Sequence, residues 1–146
     1  MAVNSVAQVA VIGRGGFPSI GPKVGLVQST VDLVTLTSAN DTTAVFTLPA
    51  GTLVLAMGIE VVVATTNAVT VSLGLDGTSA GSRTEFSGEL ATNGAVGTNL
   101  AAGYAKANVI LTAADTIVAE ISGDPGVANA QIRVWALIAD VADMDG

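Results

Sequence analysis

The sequence predicts an all-β protein, an antiparallel β-sandwich of jelly-roll type with an extended N-terminal arm, on three observations. Apolar residues recur with a period of two over residues 44–48, 53–63 and 69–75, the spacing of strands rather than helices. Turn sequences punctuate the strands at Pro49-Ala50-Gly51, Asp76-Gly77 and Gly123-Asp124-Pro125-Gly126. Half of the 146 residues are apolar and only 12% are charged, a balance that builds a core and excludes a disordered chain.

The chain divides into residues 1–30, read as an arm, and residues 31–146, read as a sandwich domain with a short acidic C-terminal tail. From Gly13 to Gly25 five glycines and two prolines fall within thirteen residues. Pro18 and Pro22 lack backbone donors and the glycines are entropically costly to order, so no helix holds there. A short strand is possible at Val6–Ile12. Fully extended, thirteen residues reach about 45 Å, far enough to cross onto a neighbouring subunit. Charge divides the same way. Residues 1–31 carry Arg14 and Lys23 and no acid, a net +2, whereas the remainder holds all 12 acids and three bases, a net −9.

In the body, Ala44, Phe46 and Leu48 alternate with Thr43, Val45 and Thr47. After the Pro49-Ala50-Gly51 turn, Leu53, Leu55, Met57, Ile59, Val61 and Val63 are expected on one face, with Val54, Ala56, Gly58, Glu60 and Val62 on the other. Val69, Val71, Leu73 and Leu75 continue the pattern up to the tight turn Asp76-Gly77. Residues 78–104 read as long loops with one or two short strands, and Leu100–Lys106 as a single helical turn. Later strands are expected at Asn108–Thr112, Thr116–Ile121 and Gln131–Ala139. Seven or eight strands at this spacing make a sandwich. With no Cys–Trp–Cys framework, and with Trp135 in the final strand, a jelly roll fits better than an immunoglobulin-like domain. Phe46 and Trp135 are both read as core.

The composition argues against most catalysis. With no Cys and no His, disulfides, thiolate and imidazole metal sites and every His-dependent triad are excluded. Val9-Ala10-Val11-Ile12-Gly13-Arg14-Gly15-Gly16 imitates a dinucleotide-binding turn, and Asp32 follows at a fitting distance. That motif needs a helix N-terminus for the pyrophosphate, and Pro18 and Pro22 stand where the helix would begin. Gly77-Thr78-Ser79-Ala80-Gly81 imitates a nucleophile elbow, but no histidine exists to take the serine proton, and Lys106 has nothing to bring it near. Asp143-Met144-Asp145-Gly146 opens like a calcium loop and lacks the closing Glu; with Asp140 it reads as a solvated tail. The pairs Glu85/Glu89 and Glu120/Asp124 come without an aromatic sugar platform. Asn40-Asp41-Thr42 is a chance sequon on this reading. No catalytic residue, metal or cofactor is therefore expected.

Partners follow from charge and hydropathy. The net charge of −7 disfavours nucleic acid. The uncharged run Thr42–Ile59 is broken by Pro49 and Gly51 and reads as two strands, not a membrane span. No basic residue precedes Val6–Ile12, which argues against a secretory leader and for synthesis in a cytoplasm. Mean hydropathy is +0.65 with few aromatics, and Val54, Ala56 and Val62 make the second face apolar as well. A second apolar face implies a subunit contact.

The arm, then Phe46-Thr47-Leu48-Pro49-Ala50-Gly51-Thr52, Val69-Thr70-Val71-Ser72-Leu73-Gly74 and Asp76-Gly77-Thr78, together resemble the small capsid decoration (cement) proteins of tailed bacteriophages. The resemblance spans residues 43–139 as a strand pattern, with the arm alike in style. It implies a homotrimer on the outer capsid surface of a virion, bridging subunits of the major capsid protein. Two alternatives stand beside it, another virion part such as a head fibre base or tail component, and a carbohydrate-binding module. For partner contact the arm offers Arg14, Phe17, Ile20 and Lys23, where the cations suit an acidic surface and the apolar pair supplies an anchor.

Overall fold

The first four strands fold back onto the five that follow, and their pairing is nested. The computed structural model describes residues 23–97, 99–101 and 109–141. Its strands are β1 (Lys23–Asp32), β2 (Thr42–Leu48), β3 (Thr52–Val63), β4 (Thr70–Leu75), β5 (Leu90–Ala91), β6 (Asn99–Ala101), β7 (Val109–Ile110), β8 (Asp115–Ile121) and β9 (Gln131–Asp140). β1 pairs β9, β2 pairs β8, β3 pairs β6 and β7, and β4 pairs β5, all antiparallel. Rolling up this long hairpin yields two sheets, β1-β9-β3-β6 with β7 also on β3, and β2-β8-β4-β5. That is the double Greek-key order of a jelly roll. β6 and β7 pair successive stretches of β3, Gly58–Glu60 and Leu53–Val54, and so share one strand position.

The core lies between the sheets and is built from cross-strand rows. In the first sheet Val27, Ala136 and Met57 stand in register, as do Val31, Ile132 and Val61. Residues directly opposite on antiparallel strands share a face, and all six are buried. In the second sheet Phe46, Ile117 and Leu75 form one such row and Ala119 and Leu73 belong to the next. The expected turn at Pro49-Ala50-Gly51 forms. Thr52 N donates to Pro49 O (3.3 Å), and Gly51 takes φ 82°, which a side chain would oppose. The Asp76-Gly77 turn also closes, with Thr78 N donating to Leu75 O at 3.1 Å.

Four expectations need correction. Residues 23–30 were assigned to the arm, but β1 begins at Lys23, so these eight residues belong to the sandwich. The strand hides in the sequence because its inward positions include Lys23, Gly25 and Ser29, while Val24 and Leu26 face outward. The expected faces of β3 hold only past its middle. A register shift between Val54 and Ala56 turns Thr52 and Val54 inward with Met57, Ile59 and Val61, leaving Leu53 and Leu55 half-buried. A similar shift between Ala44 and Phe46 buries both Val45 and Phe46 and exposes Ala44. Leu100 and Ala101 belong to β6, not to a helical turn; the rest of Leu100–Lys106, the Val6–Ile12 stretch and Asp143–Asp145 lie outside the described residues.

The outer face of the second sheet is covered by the chain itself. After Asp76-Gly77 the backbone returns along β4, and Phe86 N and Ser87 N both donate to Leu73 O, at 3.1 and 3.3 Å. Gly74 allows this approach. A Cβ there would meet the backbone of Arg83 at 2.9 Å, which no side-chain rotation could relieve. Arg83 reaches across the sheet to Glu120 of β8, Nη1 to Oε2 2.5 Å, with both side chains nearly buried. Gly81 N donates to the same carboxylate at 3.0 Å. Removing one partner of a buried ion pair strands the other charge away from water. Glu120→Ala is therefore expected to cost about 3–5 kcal/mol in the unfolding free energy measured in urea.

Candidate functional site

The two outer faces differ in what covers them. On the second sheet, Ser72, Val118 and Glu120 are buried on the outward side beneath the 76–89 segment. The first sheet has no such cover from the described residues on β1, and its outward rows can be read strand by strand. Val24, Ala139 and Leu53 form one row, Leu26, Leu137 and Ala56 the next, and Gln28, Trp135 and Gly58 the third. None of these nine residues is charged. Val24 and Leu26 are 56% and 57% exposed. Trp135, expected in the core, is half-buried on this outward face instead, because the inward parity of β9 belongs to Ile132, Val134, Ala136 and Ile138.

Beyond the third row the same face turns polar and pairs its own charges. Arg133 donates to Glu60 through Nη1 at 2.5 Å. Gln131 Nε2 donates to Asp32 Oδ1 at 2.6 Å. These pairs span β9 to β3 and β9 to β1, tying three strands at one end while the rows at the other end are uncharged and, Gln28 apart, apolar. A surface of this kind can exclude water against another apolar surface, a gain of roughly 25 cal/mol per Å² of apolar area covered.

The other sequence candidates are absorbed by structure. Ser79 is exposed in the 76–89 segment, and its carbonyl accepts from Ser82 N (3.1 Å) in a turn. Glu85 accepts from the Thr78 hydroxyl and from Leu75 N. Asp124 accepts from Gly126 N (2.8 Å), closing its own turn. Glu89 lines a shallow polar depression of about 100 Å³ with Asn40, Ser72 and Glu120. Among the described residues no group of three or more acids gathers to hold a metal ion. Of the proposed arm contacts, Arg14, Phe17 and Ile20 lie outside the described residues. Lys23 does not belong with them: it is buried at the start of β1, opposite Asp140 in register.

Sequence reasoning missed Val24, Leu26 and Leu137 as a set. Their alternation in β1 and β9 was present, but only the register brings the two strands side by side.

The strand order and the two-layer core define the class: a jelly-roll sandwich with one self-covered outer face and one uncharged, largely apolar outer face that is exposed along β1. No family model and no curated protein sequence matches the chain. Its fold recurs in solved structures. A chain of the cyanophage Pam1 capsid asymmetric unit superposes with a TM-score of 0.65 at 20% identity, covering 85% of this chain and 91% of that one. A chain of the acidic stable capsid structure of Helicobacter pylori bacteriophage KHP30 superposes with a TM-score of 0.58 at 20% identity, over 84% of this chain and 90% of that one.

Because Leu26 is exposed, a charge there costs the isolated sandwich little. Leu26→Asp is expected to leave the circular dichroism spectrum unchanged and its unfolding free energy within about 0.5 kcal/mol.

Proposed function

We propose that this protein is a non-enzymatic virion component, a decoration (cement) protein that sits as a homotrimer on the outer surface of a phage capsid and bridges major capsid protein subunits. The observation that carries the reading is the open, uncharged end of the first sheet's outer face, on a jelly roll shared with chains of two phage capsid structures. A cement protein must hold large shell subunits together without chemistry. It needs a rigid body, a surface for its own copies and a segment that reaches the shell. The nested sandwich supplies the first, and the apolar rows suit the second. Residues 1–22 suit the third, with Arg14, Phe17 and Ile20 as contacts and Gly and Pro letting the backbone follow a surface.

Magnitudes favour assembly through apolar area over charge. Exposed ion pairs contribute about 0–1 kcal/mol each and weaken with salt. An obligate interface of roughly 2,000 Å² gains tens of kcal/mol before ordering and desolvation offset most of it. The carbohydrate-binding alternative would need exposed aromatic rings for stacking, and Phe46 and Phe86 are spent in the core.

Sedimentation equilibrium at micromolar concentration is expected to give three times the 14.4 kDa chain mass; a clean monomer would refute the homotrimer. Removing residues 1–22, which stops short of β1, should leave the sandwich folded and weaken co-sedimentation with assembled capsids. Full binding by the truncated chain would refute a role for the arm.

A further inference from the structure

We infer that the edge of β1 left unpaired among the described residues and the uncharged end of the first sheet's outer face form the seat for residues Val6–Ile12 of a neighbouring copy of this chain. The inference rests on the reading that the protein self-associates, and it assigns the contact. β1 is the edge strand of its sheet. It is ten residues long and pairs β9 without any register shift. It holds no proline, and its only charges are Lys23 and Asp32 at the two ends. Proteins commonly guard such an edge with a bulge, a proline or an inner charge, since an open ladder pairs with any passing strand. β1 has neither bulge nor proline, its one inward charge, Lys23, stands at its first residue, and its outward side chains at one end, Val24 and Leu26, are the exposed apolar ones.

The sequence outside the described residues supplies a segment of matching pattern. Val6-Ala7-Gln8-Val9-Ala10-Val11-Ile12 is uncharged and six of its seven residues are apolar. At about 3.3 Å per residue it spans roughly 23 Å, within the length of β1. Ten residues, Gly13–Pro22, separate it from Lys23 and reach about 35 Å at most. Pro22 abuts β1 and Pro18 stands four residues earlier, and each pushes the residue before it toward an extended conformation. A linker of that length is enough to carry the segment to the edge of another copy. Charge points the same way. Two chains of net charge −7 repel wherever acids face each other, whereas the segment carries no charge and β1 carries none between Lys23 and Asp32 at its ends.

The protein contains no cysteine, so engineered pairs report unambiguously. Leu26→Cys in a tagged copy is mixed and refolded with untagged Val9→Cys or Ala10→Cys, which sample both faces of the added strand, and then oxidised. Thr47→Cys, exposed on β2 of the other sheet, is the control position. The expected result is a disulfide between tagged and untagged chains from Leu26→Cys and none above background from Thr47→Cys. Equal yields at the two positions would overturn the seat, as would a disulfide that forms only within a doubly substituted chain. No disulfide in a sample that still sediments as an oligomer would overturn the seat and leave self-association standing. A sample that sediments as a monomer would overturn both.

Discussion

The sandwich depends on β9. It is the last strand among the described residues, and it pairs along its whole length with β1 on one side and β3 on the other. Its inward residues, Ile132, Val134, Ala136 and Ile138, fill the middle of the core, and its outward residues, Trp135 and Leu137, stand at the centre of the open face. Two neighbouring strands of the first sheet, β1 and β3, are therefore positioned by one segment, which in β1's case lies 99 residues on at the nearest pair, Asp32 and Gln131. Loop closure must be completed before those contacts stabilise anything, so the pairing is entropically expensive and intrinsically slow. In return, β1 and β9 are fixed side by side, and Lys23 lies at the end of the sheet that carries the apolar rows.

That placement gives the two layers opposite characters. In the second sheet, a glycine at position 74 lets the backbone of Arg83 pass close over β4, and Arg83 then ties the covering segment to Glu120. The buried ion pair contributes little net stability, since desolvating two charges offsets much of their attraction. Its effect is positional, holding a loop without regular structure against a sheet that would otherwise expose Val118 and Ser72. The first sheet spends its charges differently. Arg133 with Glu60 and Gln131 with Asp32 close off one end of the outer face, and all of the uncharged rows fall at the other. An acidic protein gains from this division because close approach is electrostatically permitted only where acids are absent.

The sequence by itself determined the class. Period-two patterning, turn residues with their own backbone requirements and the absence of histidine and cysteine were enough to predict an antiparallel jelly roll without His- or Cys-based chemistry. Both signals are local, because side-chain alternation and the left-handed conformation of Gly51 depend on only a few neighbouring residues. The tertiary structure decided everything that involves register. The bulges at Leu55 and Val45 reversed the faces that strict alternation assigns, since one extra residue moves every following side chain across the sheet. β1 could not be read from sequence because its inward side holds Lys23, Gly25 and Ser29, and only pairing with β9 gives it a partner. Trp135 read as core because it is large and apolar, and parity along β9 put it outside. Whether an apolar residue serves the core or an interface is decided by what lies across from it on a distant strand.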